Sequence, residues 1–316
     1  MSTPESTNRG AQIVVLGSIN MDLVIRCSQL PRPGQTIIAD SSAEVPGGKG
    51  ANQAVAAARA GGNVSMIGRV GDDAFSSRLV ENLQREQVAT GGVLPTAETP
   101  SGLAIVAVES SGENSIVAVP GANAQLTSAD VATFADRIRT ADVLMLQLEV
   151  PIETVQAAIE VARQSGVTIV LDPAPMPATL DDSLLHVDLI CPNESETEAI
   201  VGHPVSSDEE IDRAIASLHA RGARQVILTL GSRGAVASDG TTIRRIDPTP
   251  IDPVDTTAAG DAFAGALAVR LAEGANLFGA AGFAAVAGAL AATRPGAQPG
   301  MPTRTEIDQI LQSQKT

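Results

Sequence analysis

The chain has 316 residues, of which 44% are hydrophobic, so it can form one large α/β domain or two smaller ones and is not disordered overall. Trp and Tyr are absent and Phe occurs only 5 times, so the core must pack largely through Ala and Gly, by close approach of backbones. The net charge of −15, with no Lys/Arg cluster, argues against a nucleic-acid partner and is interpreted as a solubility feature.

Neither the termini nor the cysteines indicate secretion or a membrane. Residues 1–10 are polar and predict a flexible tail without the apolar stretch of a signal peptide. No apolar run reaches the roughly 18 residues of a membrane span, and the Ala-rich stretch 280–292 predicts a buried helix instead. Cys27 and Cys191 match no metal or disulfide spacing, which favours a reduced, cytoplasmic setting.

Strand and helix patterns alternate along most of the chain. The predicted strands are residues 12–19, 142–148, 167–172, 187–192 and 225–231. The predicted helices are residues 50–61, 152–164, 193–202, 208–221, 260–273 and 276–292. Continuous apolar strands that alternate with helices predict an α/β fold, with a mostly parallel, Rossmann-like sheet flanked by helices on both faces. Ligands of such sheets bind beyond the carboxyl ends of the strands.

Two segments break this alternation. Residues 101–123 contain two apolar strands around SSGEN and predict a hairpin, and residues 35–45 also have strand character. We therefore expect one α/β domain over 11–316, with a small β-sheet lid whose strands come from about 21–46 and 101–120. An ordinary edge hairpin is the alternative. Because an exposed apolar sheet invites self-pairing, the lid also predicts a homodimer.

The segment VDTTAAGDAFAGAL places Asp261 in the first turn of a predicted helix. The N–H groups of Ala258, Ala259, Gly260 and Asp261 would point outward with the positive end of the helix dipole behind them, which is typical of an anion site. A carboxylate opposes anion binding there unless it accepts a proton from a substrate hydroxyl, which then attacks a phosphorus whose charge rests on the amides. The alternative is that Asp261 simply stabilises its helix.

This segment also resembles the C-terminal signature of the ribokinase (PfkB) family of sugar kinases. VVLGSINMDLV is similar to the family's N-terminal strand and substrate loop, and PGGKGANQAVAAARAG to its Gly-Gly motif. LMLQLE, CPNESE, TLGSRGA and ATRPGAQP follow in the expected order, so the resemblance covers nearly the whole chain. It implies ATP-dependent phosphorylation of D-ribose at O5, with Asp261 as the base and with Mg²⁺ and K⁺ as cofactors.

The resemblance implies that GGKGAN contacts sugar hydroxyls through Gly48, Lys49 and Asn52. The segment lacks the spacing of a Walker A loop, and by itself it would be an ordinary helix entry. Its paired glycines would let the backbone come close to a sugar. Asn52 offers both a donor and an acceptor.

Asn20 and Asp22 lie two residues apart on an extended segment and so face the same way, which suits two vicinal hydroxyls. The resemblance places both on the ribose ring, whereas Asx-turn capping is the alternative. Glu149, at the end of the strand LMLQLE, resembles a further sugar-binding carboxylate. An acid just before Pro151 is otherwise often a helix cap.

The nucleotide side is implied by two motifs. PNESE resembles the family's N-x-x-E motif, and Asn193 and Glu196 would hold the phosphate–Mg²⁺ region through waters, although the motif alone is equally a solvated first helical turn. TLGSRGA resembles the nucleotide loop, and a simple tight turn is the alternative. The residues of this loop implied to contact ATP are Thr229, Gly231, Ser232, Arg233 and Gly234.

The resemblance also implies a K⁺ site next to the anion site, built from side-chain and carbonyl oxygens. Its implied ligands are Asp255, Thr257, Ala291, Arg294 and Gly296. The chain departs from the family at Gly300, where Ser is common, and at Ala285, where an adenine-facing His or Asn is common. The first departure removes a possible K⁺ ligand, and the second weakens the expected adenine contact.

Three other functions compete with this interpretation. A kinase of the same family could act on 2-deoxyribose, fructose, a keto-deoxy acid or a nucleoside such as adenosine, although INMD favours ribose because a site built for a hydroxyl rejects analogues that lack it. A non-catalytic sugar-binding regulator would not need Asp261. A dinucleotide-binding dehydrogenase is disfavoured because no G-x-G-x-x-G follows the first strand. The histidines lie in no motif and are interpreted as structural or surface residues: His186, His203 and His219.

Overall fold

The computed structural model describes residues 10–109 and 114–314. Its strands are β1 (Gln12–Leu16), β2 (Asn20–Cys27), β3 (Ser41–Gly47), β4 (Asn63–Val70), β5 (Ala89–Pro95), β6 (Gly102–Glu109), β7 (Asn114–Val119), β8 (Val143–Leu146), β9 (Thr168–Leu171), β10 (Leu189–Ile190), β11 (Gln225–Thr229), β12 (Ala235–Ser238) and β13 (Ile243–Ile246). Its helices are α1 (Lys49–Arg59), α2 (Ala74–Arg85), α3 (Ser128–Thr133), α4 (Ala135–Arg139), α5 (Ile152–Ser165), α6 (Glu194–Val201), α7 (Asp208–Ala220), α8 (Ala259–Ala272), α9 (Leu277–Ala292), α10 (Ala297–Gly300) and α11 (Arg304–Ser313).

The main sheet has nine strands in the order β13-β12-β11-β10-β9-β8-β1-β4-β5. Every pair from β11 to β5 is parallel, and only β12 and β13 add antiparallel strands at one edge. The predicted mostly parallel sheet is therefore confirmed. Within the described residues, no helix is long and apolar enough to cross a membrane.

Alternate residues of β1 enter two different cores. Ile13 and Val15 join a cluster with α1, α8 and α9, whereas Val14 and Leu16 join a cluster with α5 and α7. Adjacent strand residues point to opposite faces, so a strand covered on both sides has to be apolar throughout. This burial explains the unbroken hydrophobic run of β1.

Close helix contacts fix the start of α8. A Cβ atom on Gly265 would lie 2.6 Å from the Cβ of Ala56 in α1, and one on Gly288 would lie 3.0 Å from the carbonyl oxygen of Ala259. Glycine is required at Gly265 because any side chain would separate the two backbones. The prediction of a core packed by close backbone approach is confirmed here.

A separate four-stranded sheet has the order β3-β2-β6-β7. Strands β6 and β7 form the antiparallel pair predicted from residues 101–123, and β6 also pairs in parallel with β2, so the pair belongs to this separate sheet and not to the main sheet. SSGEN covers residues 110–114, and its residues 110–113 lie outside the described residues, as do residues 1–9 of the predicted tail. The predicted strand at 35–45 begins only at Ser41.

The predicted strand 187–192 is wrong in its length, because only Leu189 and Ile190 join the sheet as β10. The N–H of Val187 is turned back to the carbonyl of Leu185 at 2.8 Å. Pro192 has no N–H to offer a neighbouring strand. The shortened strand still brings Asn193 to the carboxyl edge of the sheet, where it forms a bridge to Thr229.

Candidate active site

Polar side chains gather beyond the carboxyl ends of neighbouring parallel strands. Asn20 follows β1, Glu149 follows β8 and Asp172 follows β9 directly. Glu149 lies three residues after β8, so the prediction that it ends the strand is wrong. Helices α1 and α8 bring further polar groups to the same edge, where ligands of such sheets bind.

Asp261 is held by two consecutive residues of α1. Its Oδ2 accepts a 3.1 Å hydrogen bond from Nδ2 of Asn52, and its Oδ1 accepts one of 3.1 Å from Nε2 of Gln53. The residue is only 5% exposed. The carboxylate therefore faces α1 and not the amides of its own helix, which argues against a role as a helix cap.

The turn before Asp261 has an unusual backbone. Ala258 adopts φ 58° and ψ 15°, the left-handed region that a residue with a Cβ rarely enters and that is enriched at functional sites. The amide of Ala259 donates to the carbonyl of Thr256 at 3.2 Å, so the prediction of a free amide is wrong for this residue. Within the described part of the chain, the amides of Ala258, Gly260 and Asp261 have no hydrogen-bond partner, and the space around Gly260 is open.

Asn20 is oriented by Asn123, a residue that the sequence motifs did not indicate. Asn123 receives the backbone N–H of Ile19 on its Oδ1 at 2.9 Å, and its Nδ2 donates to Oδ1 of Asn20 at 2.7 Å. Asn20 therefore presents its own NH₂ group to the cleft. This contact, inside strand β2, excludes the alternative of an Asx turn.

Asp22 lies on the same strand, and its carboxyl group lacks part of its hydrogen bonding. Its Oδ1 is buried without a hydrogen-bond partner among the described residues. Burial, followed by the charges of Glu149 and Asp261, raises the pKa of Asp22 to about 7. A carboxyl group with an orphaned buried oxygen is suited to a ligand hydroxyl.

The paired glycines make room for these two residues. A Cβ atom on Gly47 would lie 2.1 Å from Oδ2 of Asp22, and one on Gly48, which has φ 89°, would lie 2.7 Å from the backbone nitrogen of Asn20. Glycine is thus required at both positions because a side chain there would clash with Asp22 or Asn20. Direct approach of a sugar to Gly48 stays a prediction.

Glu149 joins the first turn of α1 to the loop after β1. Its Oε2 accepts hydrogen bonds from the hydroxyl of Ser18 and, at 3.1 Å, from the backbone N–H of Lys49. The helix-cap alternative is wrong, because α5 begins after Pro151 and no side chain caps it. Glu149 therefore anchors the Gly-Gly segment beside Asp22.

Lys49 and Asp172 form a partly buried ion pair with 3.4 Å between Nζ and Oδ2. Burial raises the pKa of Asp172 to about 7, although Lys49 opposes that rise. Burial alone would lower the pKa of Lys49, but Asp172, Asp261, Glu196 and Glu149 outweigh it and raise that pKa above its usual range. The single positive charge of Lys49 thus partly offsets the negative charges of these four carboxylates.

The sequence model described as "pfkB family carbohydrate kinase" matches residues 11–304. The chain belongs to the pfkB family of carbohydrate kinases. It is 39% identical to "Ribokinase" of Bacillus subtilis (strain 168) over 95% of this chain and 99% of that protein. It is 35% identical to "Deoxyribokinase" of Salmonella typhi, over 95% of this chain and 98% of that protein.

A solved structure named "Structure of Arabidopsis thaliana Ribokinase complexed with Ribose and ATP" has the same fold as this pfkB-family chain. Its TM-score is 0.89 at 33% identity, covering 96% of this chain and 99% of that one. The α/β fold expected from the sequence is thereby confirmed over nearly the whole length.

Two residues of this pfkB-family kinase that are predicted to hold the nucleotide phosphates form hydrogen bonds with each other. Asn193 caps α6, and its backbone N–H donates to Glu196 at 2.8 Å while Glu196 N–H donates to the Asn193 side chain at 2.9 Å. The alternative that these residues form the first turn of a helix is therefore confirmed as their structural role, and their contacts with Mg²⁺ stay a prediction. Arg233 is paired with Glu194 and donates to the carbonyl of Ser206 at 3.0 Å.

The remaining residues of the predicted nucleotide loop lie after β11. Gly231 and Ser232 are exposed in a short 3₁₀ turn, and Gly234 has a left-handed backbone with φ 83°. Thr229 directs its hydroxyl to the carbonyl of Pro192 at 3.4 Å. Ala285 is half-buried on α9. Contacts of these residues with a nucleotide stay predictions.

The predicted cation loop closes around Asp255. Its carboxylate accepts the backbone N–H of Thr257 at 3.0 Å and that of Gly296 at 2.8 Å. Burial would raise the pKa of Asp255, but these hydrogen bonds hold it below its usual range. The carbonyl oxygens of Ala291 and Arg294 converge, since they lie 3.2 and 3.3 Å from the place a Cβ would take on Gly300.

Gln298 connects this loop to the sugar side of the site, and the sequence motifs did not indicate it. Its Nε2 donates to Oδ1 of Asn52 at 3.1 Å, and its Oε1 accepts from Asn82 at 2.6 Å. Asn52 therefore uses its oxygen on Gln298 and its NH₂ on Asp261. Asp172 did carry a sequence signal, as an acid directly after a buried strand.

Proposed function

We propose that this chain is a ribokinase, which transfers the γ-phosphoryl group of ATP to O5 of D-ribose and releases ADP. The observation that carries the proposal is the environment of the Asp261 carboxylate. This carboxylate lies at the start of a helix, fixed by two amides of α1, beside open N–H groups and within the electrostatic reach of Asp22. The names of the relatives support ribose as the sugar.

In the proposed reaction Asp261 accepts the proton of the 5-hydroxyl group. The O5–phosphorus bond forms while the bond between the γ-phosphorus and the bridging oxygen breaks, and the electron pair leaves with ADP. The amides of Gly260, Asp261 and Ala258 stabilise the charge on the transferred group, with the dipole of α8 behind them. The amide of Ala259 contributes only if its bond to Thr256 opens.

The sugar would lie between β2 and α1. Asn20 would donate and Asp22 would accept, so the two together suit vicinal hydroxyls of ribose. Lys49, Asn52, Glu149 and the backbone of Gly48 would complete the ring contacts. The small sheet that carries Asn20 and Asp22 would act as a lid over the bound sugar.

The nucleotide would lie on the other side of Asp261. We propose that Asn193 and Glu196 hold Mg²⁺ through waters, since carboxylate and amide oxygens suit this hard ion and the charge of Glu196 reaches both Lys49 and Asp172. When bound, Mg²⁺ would neutralise charge on the ATP phosphates. The loop after β11 would cover the triphosphate through Thr229, Gly231, Ser232, Arg233 and Gly234.

We propose K⁺ as an activator held by the loop around Asp255. Convergent carbonyl oxygens of Ala291 and Arg294 fit a monovalent cation, and Asp255 supplies charge. Thr257 and Gly296 would complete the ligand set. The ion would steady the turn that carries the free amides of α8.

A homodimer through the lid is part of the same proposal, as is a cytoplasmic setting. Ile116 and Val117 are neighbours on β7 and so point to opposite faces, yet they are 58% and 61% exposed. A strand that is apolar and exposed on both faces at a sheet edge is suited to a partner surface.

The second candidate is a 2-deoxyribose kinase, which the similarity to the Salmonella typhi deoxyribokinase favours. The two functions differ in the use of the 2-hydroxyl, which Asn20 and Asp22 are arranged to meet. Discrimination against a sugar lacking this group would follow from leaving buried polar atoms unpaired.

The deciding experiment is ADP release from Mg·ATP with D-ribose, 2-deoxyribose or no sugar, in K⁺ and with Na⁺ in its place. We expect ribose-dependent turnover that is faster than with 2-deoxyribose and falls without K⁺. A preference for 2-deoxyribose would support the second candidate. Ribose binding without turnover would support a sugar-binding regulator.

A further inference from the structure

Gln53 joins two carboxylates on one side-chain amide. Its Nε2 donates to Oδ2 of Asp172 at 2.8 Å and to Oδ1 of Asp261 at 3.1 Å. An amide NH₂ group has two hydrogens, so both are used. Gln53 is fully buried, so loss of either contact would remove a hydrogen bond from a buried carboxylate.

The orientation of this amide is fixed by its own oxygen. Oε1 of Gln53 accepts a 2.6 Å hydrogen bond from Nε2 of Gln147, which is also fully buried. A rotated Gln53 would place its oxygen against Asp172 and Asp261 and its NH₂ against the NH₂ of Gln147. The contacts with the two carboxylates would then be repulsive, which disfavours the rotated orientation.

Asp172 in turn is tied to Lys49 at 3.4 Å. The sequence of contacts therefore runs from Lys49 through Asp172 and Gln53 to Asp261. Asn52 and Gln53 together hold both oxygens of Asp261 from the same helix. Two hydrogen bonds at two oxygens fix the rotation of a carboxylate, which one bond cannot do.

We propose that Gln53 is a positioning residue that sets the orientation of the Asp261 carboxylate for the transfer step, using Asp172 as its anchor. Gln53 hydrogen-bonds the proposed base and does not itself take up the proton. It acts through Asp261, whose lone pairs must point at the attacking hydroxyl. The inference rests on the proposed function of Asp261 as base.

The test compares the wild type with Gln53→Met, which keeps the length of the side chain but has no amide. We expect kcat to fall about 10- to 100-fold, because a displacement of about 1 Å at a reacting group costs on this order. The KM for ATP should stay within about 3-fold, since the nucleotide lies elsewhere. Gln156→Met, on half-buried Gln156 of α5, removes an amide that hydrogen-bonds only with Ser183 in the described residues and should leave kcat unchanged.

The pH dependence of turnover in Gln53→Glu distinguishes a positioning role from a merely structural one. The introduced carboxyl group donates to a neighbouring carboxylate only when protonated, so turnover relative to the wild type should recover as the pH falls. Gln53→Met should lose the same fraction of turnover at each pH. If Gln53→Met does not fold, Gln147→Met removes the hydrogen bond to the Gln53 oxygen, which should loosen the amide and lower kcat in the same direction.

A crystal structure of Gln53→Met separates this inference from the proposed function. We expect the Asp261 carboxylate to rotate away from its wild-type position, which is visible without turnover. An unmoved carboxylate, or a kcat within about 3-fold of the wild type in a folded variant, overturns the role of Gln53. Failure of the wild type to phosphorylate ribose contradicts the proposed function instead.

Discussion

Asn123 donates a 2.7 Å hydrogen bond to Oδ1 of Asn20, and this contact decides which group Asn20 offers to a ligand. Asn123 cannot reverse its amide, because its own oxygen is held by the N–H of Ile19. Asn20 is thus restricted to donating, while the deprotonated carboxylate of Asp22 beside it accepts. Pairing a fixed amide donor with this carboxylate suits the recognition of two adjacent hydroxyls.

Asn123→Ala should therefore weaken sugar recognition without touching the sugar. We expect the KM for ribose to rise about 10-fold, equivalent to about 1.4 kcal/mol, and the preference for ribose over 2-deoxyribose to shrink. Steady-state kinetics with both sugars measures this. Asn63→Ala removes an exposed amide contact to Gln12 and is the matched control. An unchanged sugar preference in Asn123→Ala would contradict the orienting role.

Asp261→Asn tests the base. The amide keeps the shape of the side chain but cannot accept the proton, so kcat should fall by about 10²- to 10⁴-fold. One of the two hydrogen bonds from Asn52 and Gln53 is lost, which should lower stability by about 1 kcal/mol. Isothermal titration calorimetry should still detect ribose binding to the variant. Turnover within about 10-fold of the wild type would remove Asp261 as the base.

Asp22 should make stability depend on pH. Its folded-state pKa of about 7 lies above that of an exposed aspartate, so the folded chain holds the proton more tightly than the unfolded chain. The resulting stability is complete below about pH 4 and is lost as the pH rises through about 7. Asp22→Asn resembles the protonated side chain and should therefore be more stable than the wild type at pH 8, but not at pH 4.

Thermal unfolding at the two pH values measures this difference. We expect Asp22→Asn to raise Tm by about 2–4 °C at pH 8, corresponding to about 1 kcal/mol, and to bind ribose more weakly. Asp212→Asn, exposed on α7, is the matched control. An equal Tm change at both pH values would argue against a raised pKa.

Local patterns predicted the parts of the site that local residues form. Asn193 and Glu196 lie three residues apart in a predicted first helical turn, and Asp261 lies in the first turn of another predicted helix, so local sequence indicated all three. Gln53 and Gln298 are not readable in this way. Their contacts with Asp261 and Asn52 span 208 and 246 residues, so only the packing of α1 against α8 and α10 creates them.

The same distinction applies to the fold. The apolar run of β1 predicts a strand because burial on both faces requires it. Strand β4 (NVSMIGRV) mixes polar and apolar residues, and its pairing with β1 is set by tertiary contacts, so it was not singled out from the sequence. The length of β10 depends on Val187 and Leu185, whose backbone contact no hydrophobic pattern reveals.

The exposed edge of the lid predicts self-association. Ile116→Lys places a charge in the proposed interface and should convert a dimer to a monomer at micromolar concentration, as measured by analytical ultracentrifugation. Ile243→Lys is the matched control, because Ile243 is 47% exposed on β13, the edge of the main sheet. A monomeric wild type, or equal effects of both substitutions, would contradict dimerisation through β7.

Gly300 offers a direct test of the cation loop. A serine there would start its side chain 3.2 and 3.3 Å from the carbonyl oxygens of Ala291 and Arg294, so its hydroxyl would lie among the proposed ligands. Gly300→Ser should lower the K⁺ concentration for half-maximal activity by about 3- to 10-fold, equivalent to about 1 kcal/mol. Gly300→Ala introduces the same crowding without the oxygen and should not increase K⁺ affinity. Equal K⁺ dependence in the two variants would argue against a cation at this position, because only the hydroxyl distinguishes them.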